Sequence, residues 1–421
     1  MRARLCMCAW LVACGSDPGD ASGTDGGTQA TTSGSTSTTL SQSTTAPQDG
    51  STSAADSNTT DTSTSNVDAS STGATVVCDH SMAPAWWEGH ELHAWFEIPD
   101  TAGAGGTVID AYNGMALREA TSEIVIAAAG GHHDGADNRV VSLALGDDAP
   151  QWITLHESST EFVEDVAYYP DGLPSARHTY HSTHVIESHD RVFLFGARFV
   201  YGSAVEFPTV DAFDLGRLVW DPEGTWESVP MGGSYGAVRV RATDEVYTSS
   251  LFMWSPDGTW SQPIGTHSTA AVRWPIAHDS TRDELFSLMF ADGQGYGDPI
   301  VGSTRVVIAT GAQTDVTLAE GDGLAQFVAE APTYAAMDYD PDNDRFLFYS
   351  GVGAAAGRIY AVEAATSELR TIDVLALDPT SVLPPSSSSG GVNNRFRYVP
   401  ALCGFVLLPT RDANLWFIRT A

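Results

Sequence analysis

The sequence predicts an all-β fold, a β-propeller with six four-stranded blades. From about residue 78 onward the chain shows no sustained 3.6-residue periodicity, which argues against helices. An apolar strand, a short polar turn and a second, very apolar strand recur along the chain. A repeat of roughly 55 residues that carries four antiparallel strands is typical of propellers. The copies of the pattern begin at Met115, His184, Val238, Pro275, Met337 and Arg397.

The outer strands of the repeat are marked by turns and by tryptophans. Two units share a Trp-flanked hairpin with a Pro-Asp/Glu-Gly turn, at residues 220–226 and 254–260. Proline presets a negative φ in such a turn and glycine supplies the positive one.

The sixth copy ends near Phe417 with only three strands, whereas the segment from His93 to Ile98 has the form of a fourth strand. We therefore expect the N-terminal strand to complete the last blade and remove an open sheet edge.

The N-terminus has the features of an export signal. Arg2 and Arg4 precede a short apolar stretch, and Leu11-Val12-Ala13-Cys14-Gly15 resembles the lipobox of bacterial lipoproteins. The resemblance implies that residues 1–13 are removed and that Cys14 carries the lipid. An ordinary secretory signal with a chance cysteine is the alternative. Residues 14–77 are mostly Ser, Thr, Gly, Ala and Asp and should form a disordered tether. We expect an exported protein, lipid-anchored in the outer membrane or at the cell surface, with a propeller over residues 78–421.

The charge balance excludes two classes of partner. The formal net charge is −33, and all 20 basic residues are arginine. Nucleic acids and anionic lipid surfaces both require clustered cations, so we expect no nucleic-acid partner and membrane contact only through the lipid anchor. We expect a monomer.

The cysteines predict one disulfide. Cys6 and Cys8 leave with the signal and Cys14 is modified, so Cys78 and Cys403 remain at the two ends of the globular region. An oxidising compartment favours a bridge between them, which would hold the ring closed. Two free thiols are the alternative.

Two segments resemble the Kelch repeat. The first is Ala127-Ala128-Ala129-Gly130-Gly131-His132, followed by Asn138-Arg139-Val140 and Trp152; the second is the run from Pro174 to Tyr180, followed by Phe193-Leu194-Phe195-Gly196. The chain is thus similar to the central domain of galactose oxidase and to bacterial Kelch-like proteins. Copper-radical oxidase chemistry needs a cysteine cross-linked to a tyrosine at the channel mouth. No cysteine lies in the mouth-side loops, so that activity is not expected.

The candidate site residues lie in loops that a propeller brings to one face. His132, His133, Asp134 and His178 could hold a transition metal, and Arg177 could engage an anion. Structural use of these polar groups in blade packing is the alternative. Aromatic, amide and arginine side chains in the other loops suit sugar or peptide recognition. These further residues are Tyr112, Asn113, Tyr180, Tyr235, His267, Arg273, Tyr334, Asn394 and Arg395.

Two functions follow from these patterns. The first is a surface-displayed binding or scaffold module for a glycan or protein ligand at the channel mouth. The alternative is a metal-dependent enzyme, an oxidoreductase or a hydrolase or lyase acting on carbohydrate, that uses His132, His133, Asp134 and His178. No cofactor is predicted beyond that transition metal. The alternating aspartates from Asp338 to Asp344 suggest calcium, but their position between two strands favours an ordinary turn.

Overall fold

A computed structural model describes most of the chain from residue 83 onward. The proposed signal, the tether, Cys14 and Cys78 all lie outside the described residues. Within those residues, no helix is long and apolar enough to cross a membrane. The described ranges are 83–103, 112–131, 135–197, 199–202, 205–230, 236–264, 275–290, 300–320, 323–330, 334–364, 369–387 and 391–421.

The first three repeats form three antiparallel four-stranded sheets, each with its strands in chain order. The first sheet consists of β2 (Ala116–Arg118), β3 (Glu123–Ala127), β4 (Val140–Ala144) and β5 (Ile153–His156). The second consists of β6 (Thr183–Ile186), β7 (Arg191–Ala197), β8 (Phe207–Asp214) and β9 (Val219–Trp220). The third consists of β10 (Ala237–Arg239), β11 (Val246–Thr248), β12 (Met253–Trp254) and β13 (Trp260–Ser261).

The fourth and fifth repeats form one eight-stranded sheet, so the expectation of six separate four-stranded sheets is wrong. The physical reason is that the outer strand β17 is long enough to pair with two different strands. Residues 313–316 of β17 pair with β16, and residues 317–320 continue past that pairing to bond in parallel with β21. The strands are β14 (Ile276–Asp279), β15 (Glu284–Phe290), β16 (Ile300–Val307), β17 (Gln313–Glu320), β18 (Ala336–Asp340), β19 (Arg345–Tyr349), β20 (Tyr360–Glu363) and β21 (Leu369–Val374).

A short helix, α1 (Leu324–Glu330), follows the long outer strand β17. This helix was not predicted from the sequence, because seven residues are too few to show a helical period. Phe327 is the buried residue of α1 and packs edge-on against Phe348 and Tyr360. The helix therefore contributes Phe327 to the apolar layer between the strands β14–β17 and β18–β21.

The last sheet confirms the predicted closure by the N-terminal strand. It contains β22 (Phe396–Val399), β23 (Gly404–Leu407) and β24 (Trp416–Arg419), and β1 (Trp95–Glu97) pairs antiparallel with β24. The 3₁₀ turn Ala85–Trp87 lies just before β1 and contributes two buried tryptophans. The indole Nε1 of Trp87 donates to the Leu402 carbonyl at 3.1 Å. Both ends of the described chain thus meet in one sheet.

The sheets stack face to face in a closed, propeller-like ring. Separate layers of buried apolar side chains lie between each sheet and the next, and one layer joins the last sheet to the first. A further layer lies between the two halves of the eight-stranded sheet. The second strand of each repeat is sandwiched on both faces, as in β7, where six consecutive residues from Val192 are buried. That placement explains why the second strands read as continuous apolar runs.

The first strands form the inside of the ring. β2, β6, β10, β14, β18 and β22 contact one another in that order. Each turn from a first to a second strand has one residue in the left-handed region just before the second strand. Aspartate tolerates this conformation better than most residues, which accounts for its repeated use. The six residues are Ser122, Asp190, Asp244, Asp283, Asp344 and Cys403, with φ between 48° and 62°.

Two sequence predictions concern these turns. Residues 341–344 form the turn between β18 and β19, which confirms the interpretation of the aspartate run as a turn. Cys403 lies in the turn between β22 and β23, as expected, and it is disulfide-bonded. The other four cysteines lie outside the described residues, so its pairing with Cys78 stays a prediction.

Candidate functional site

The loops that lead into the first strands hold several predicted site residues in an unusual backbone conformation. We call them the leading loops. Tyr112, Tyr180 and Tyr334 precede β2, β6 and β18 and have φ of 59°, 42° and 51°; Asn393 before β22 has φ of 46°. A bulky residue in this region is strained by about 1 to 2 kcal/mol, and such strain is concentrated at functional sites. The leading loops thus share one local structure that aims large side chains at one place.

Five rings meet where these loops converge, and we call them the leading-loop cluster: Tyr112, His178, Tyr180, Phe199 and Tyr334. The ring centroid of Tyr112 lies 4.8 Å from that of Tyr334 and 4.8 Å from that of His178. The Phe199 ring lies 5.5 Å from His178. Four of the five were predicted as site residues. Phe199 was missed, because it follows the second strand of its repeat and carries no motif.

The cluster has a buried base and a partly exposed rim. Tyr180, His178 and Tyr334 are 1%, 4% and 7% exposed, whereas Tyr112 and Phe199 are only partly buried. The backbone N–H of Tyr180 donates to the Tyr112 carbonyl at 2.8 Å, and Tyr180 Oη lies 3.2 Å from His178 Nδ1. Tyr112 is therefore a ring presented at the surface on a rigid aromatic base.

Two predicted asparagines fix the leading loops to one another. Asn113 is fully buried, and its Oδ1 accepts from the Thr179 backbone N–H at 3.1 Å. Asn394 is 4% exposed, and its Nδ2 lies 3.3 Å from the carbonyls of both Met115 and Thr183. These contacts join the leading loops of the first, second and last sheets. The two amides position the cluster and are not presented to a ligand.

Arg177 is built into the second sheet. Its side chain is fully buried, its Nη1 lies 2.7 Å from Asp211 Oδ2, and its Nε donates to the Ser175 carbonyl at 3.0 Å. Asp211 also accepts from the Tyr168 hydroxyl at 2.7 Å. These partners correspond to the structural alternative of the sequence analysis, so we leave Arg177 out of the proposed ligand surface.

Arg395 is likewise buried beneath the leading loops. It is fully buried, and its Nη2 donates to the Gly391 carbonyl at 2.6 Å. Burial lowers the pKa of its guanidinium to about 10, so the side chain stays charged at neutral pH. With no exposed surface it cannot meet a ligand, and we leave it out of the proposed ligand surface.

The remaining predicted site residues lie outside the described residues. These are His132, His133, Asp134, Tyr235, His267 and Arg273. Gly131 and Gly135 flank the first three and pair with each other, the N–H of Gly131 donating to the Gly135 carbonyl at 2.8 Å. In the part of the chain that the structure describes, no group of three or more His, Cys, Asp or Glu side chains is arranged to hold a metal ion.

Gly131 packs so closely that a side chain cannot be added. A Cβ there would lie 2.4 Å from the Phe199 carbonyl oxygen and 2.6 Å from Arg177 Cα, and φ is +89°. Gly172 has a similar φ of +82° but open space around it. We expect Gly131→Ala to lower the free energy of unfolding by about 3 kcal/mol, from strain plus overpacking, and Gly172→Ala by about 1 kcal/mol, from strain alone. Chemical denaturation checks the difference; equal losses would contradict the close packing.

A second polar cluster fills the inside of the ring, and we call it the channel cluster: Glu119, Arg239, Arg241, Asp338 and Arg397. Arg241 Nε donates to Glu119 at 2.7 Å, and Arg397 Nε donates to Asp338 at 3.1 Å. Arg239 bridges Glu119 and Asp244 at 3.5 and 2.6 Å. The cavity that these side chains leave is about 10 Å³, no more than one water needs. This network closes the channel at this level, so a ligand would have to bind outside it.

Two buried histidines lie beside the channel cluster. Burial, together with the positive charge of Arg397, lowers the pKa of His181 and of His184 to about 3. Both imidazoles are therefore neutral at physiological pH. His184 Nε2 lies 3.0 Å from the carbonyls of His181 and Ala237, which it bonds as a donor.

The channel cluster was not predicted from the sequence, although the sequence carries a signal for it. Four of the first strands carry a charged residue or histidine at an inner position of an otherwise buried strand: His184, Arg239, Asp338 and Arg397. His278 in β14 is a fifth case. These polar residues fall at equivalent or adjacent positions of five successive first strands, which indicates that they approach one another around the axis. Alignment of the repeats by strand would have revealed it.

Comparison with known proteins adds little to this description. No protein-family model matches the sequence, and no curated protein matches it. The described fold is similar to a chain of the "Crystal Structure of Mitotic Checkpoint Complex", with 12% identity and a TM-score of 0.37 over 78% of this chain and 94% of that one. It is also similar to the "Structure of YjhT", with 11% identity and a TM-score of 0.45 over 76% and 95%. Neither similarity bears on function, and membership of the Kelch class stays a prediction.

Proposed function

We propose that this chain is an exported, lipid-anchored binding module that holds a glycan on the leading-loop face of its propeller. One observation carries the proposal: rings from two other leading loops pack against Tyr112, which remains partly exposed. The apolar face of a sugar packs on such a ring, and neighbouring hydroxyls find polar partners. A ring held by buried neighbours loses little conformational entropy on binding.

The chemistry of the face favours a neutral, hydroxyl-rich ligand. Arg177 and Arg395 are buried in the protein and lend no exposed positive charge to this face. The channel cluster leaves a cavity of only about 10 Å³ at its own level, so a glycan on the leading loops would not pass through that level of the channel. Display of the module on a Ser/Thr-rich tether from Cys14 suits capture of glycans outside the cell.

The propeller that presents this face has, we infer, six blades. The eight-stranded sheet consists of two four-stranded halves with first strands β14 and β18 side by side inside the ring. Among the described residues, the strands of the two halves pair with each other through β17 and β21 at the outer rim. Counting each half as one blade gives six leading loops around one mouth, in agreement with the six repeats of the sequence.

A glycan array probed with the intact exported chain tests the proposal. We expect binding to a limited set of glycans that share a terminal or repeating sugar. If no glycan binds and a protein binds instead, the glycan is rejected as the ligand. The face would then be a docking surface for a protein. Absence of both would reject the binding module.

The metal-dependent enzyme remains the alternative, and one observation favours it. Gly131, which immediately precedes His132, lies against Arg177, the neighbour of His178. Metal analysis of the exported chain by mass spectrometry separates the two functions. A stoichiometric transition metal that is lost in His132→Ala or His133→Ala would support the enzyme, whereas retention of the metal in both variants would reject this site.

A further inference from the structure

A cleft of about 310 Å³ lies at the outer edge of the last sheet, away from the leading loops. It is formed by residues 89–91 and 94–97, which include β1, by residues 380 and 382, and by Trp416 of β24. Its volume falls at the lower end of the range of small-molecule sites. Neither the proposed glycan surface nor the channel cluster shares a residue with it.

The walls of the cleft are aromatic and rigid. Trp95, Phe96 and Trp416 are 2%, 6% and 5% exposed, so each ring is held by the fold. Trp95 Nε1 donates to the Gly357 carbonyl at 2.8 Å, and the Trp95 backbone N–H donates to Ser381 Oγ at 2.7 Å. Val382, 65% exposed, adds an apolar side chain at the rim. The cleft is thus preformed, and only a small part of each aromatic residue is exposed to it.

The charge on the lining is negative. Glu91 and Glu97 both line the cleft and are exposed, and no arginine is among the described residues that line it. Glu97 Oε1 accepts from Asn414 Nδ2 at 2.7 Å, which fixes that carboxylate.

Two further groups complete the electrostatics. The His90 ring lies flat on Phe96, with centroids 3.7 Å apart, and burial lowers its pKa. Arg419 lies behind the wall, with its guanidinium over the Trp87 ring at 3.8 Å and its Nη1 donating to the His90 carbonyl at 2.5 Å. Its charge offsets part of the field of Glu91 but does not face the ligand space. The carboxylates of Glu91 and Glu97 therefore face the ligand space, whereas the positive charge of Arg419 lies behind the wall of the cleft.

We propose that this cleft binds an organic cation: a primary or methylated ammonium on an apolar stem, either free or as a lysine side chain of a peptide. The two carboxylates attract a cation and accept hydrogen bonds from a primary ammonium. The apolar stem packs on Val382 and on the small exposed parts of the aromatic residues. The strongly acidic chain, at −33, also raises the local concentration of cations.

Calorimetric titration of the full chain with three amides tests the proposal. The probes are N-acetyl-lysine amide, its trimethylated form and N-acetyl-norleucine amide, which keeps the stem and lacks the charge. We expect both cations to bind and the norleucine amide, which cannot interact with the carboxylates, to bind at least about ten-fold more weakly. Binding of the cations should weaken in about 0.5 M sodium chloride. A lysine-centred pentapeptide that binds more tightly than the lysine amide would assign a peptide as the source, and equal affinity would assign a free amine.

Matched variants locate the binding. Glu91→Gln should lower the affinity for the lysine amide about five-fold, which is the upper range for the loss of one exposed charge pair. Glu88→Gln removes the same charge from an exposed position that does not line the cleft and should leave affinity unchanged. Equal effects of the two variants, equal binding of norleucine and lysine amides, or no binding would each overturn the proposal. Tyr112→Asn should not change this affinity, which separates this site from the glycan surface.

Discussion

Asp211→Ala should lower the free energy of unfolding by about 3 to 5 kcal/mol, the usual cost of leaving a buried charge without its partner. The substitution removes the carboxylate that the buried guanidinium of Arg177 contacts at 2.7 Å. It also removes the acceptor of the Tyr168 hydroxyl. Burial, and then the Asp211 charge, raise the pKa of Tyr168, so this hydroxyl keeps its proton and its role as donor. Chemical denaturation of the exported chain measures the loss.

Two further variants show whether the loss comes from the charge. Asp412→Ala removes an 81% exposed partner of Arg411 and should change stability by less than about 0.5 kcal/mol. Asp211→Asn keeps the side-chain volume, and we expect it to lose most of what Asp211→Ala loses. A cost for Asp211→Ala as small as that for Asp412→Ala would contradict a buried ion pair at this place.

Acidification should destabilise the propeller by about 4 kcal/mol between pH 7 and about pH 5, through His181 and His184. Their pKa is about 3 in the folded chain and about 6.5 when unfolded, so the unfolded chain binds more protons in this window. The stabilisation that depends on these two neutral histidines is therefore fully present above about pH 6.5, and it is lost as the pH drops toward 3. Each histidine contributes about 1.4 kcal/mol per pH unit within that window.

Denaturation at a series of pH values with one variant tests the assignment. His184→Gln keeps an N–H donor and removes the titration, so it should reduce the loss at about pH 5 by about 2 kcal/mol. His156→Gln makes the same substitution outside the channel and serves as the control for it. His90, His93 and His278 also have a lowered pKa, chiefly from burial, and add to the slope in the same direction. A flat stability profile between pH 7 and 5 would contradict neutral, buried histidines in the channel.

The strands were the most predictable part of the fold. Second strands such as β7 are sandwiched between sheets, so burial on both faces forces a continuous apolar run that the sequence displays. The pairing of β1 with β24 was also predictable, because the last repeat lacked a strand and the segment before the first repeat supplied one. The parallel pairing of β17 with β21 was not, since it depends on a few outer residues that meet only after the sheets have stacked.

The site was predictable in position more than in detail. The convergence of Tyr112, His178, Tyr180 and Tyr334 follows from the shared geometry of the leading loops. The burial of Arg177 does not, because its partner Asp211 lies 34 residues away and is read as an ordinary strand residue. Side-chain burial depends on such distant contacts, and residue type alone does not reveal it.

Comparison of Tyr112→Asn with the unmodified chain on the glycan array tests the central claim most directly. Asparagine tolerates the left-handed backbone of this position, so the variant removes the ring and keeps the loop. Ile153→Asn introduces the same side chain at an exposed outer strand, 55% exposed, and serves as the control. If the leading-loop face holds the glycan, affinity falls about ten-fold in Tyr112→Asn and is unchanged in Ile153→Asn. Full retention of glycan binding in Tyr112→Asn would contradict the proposed site.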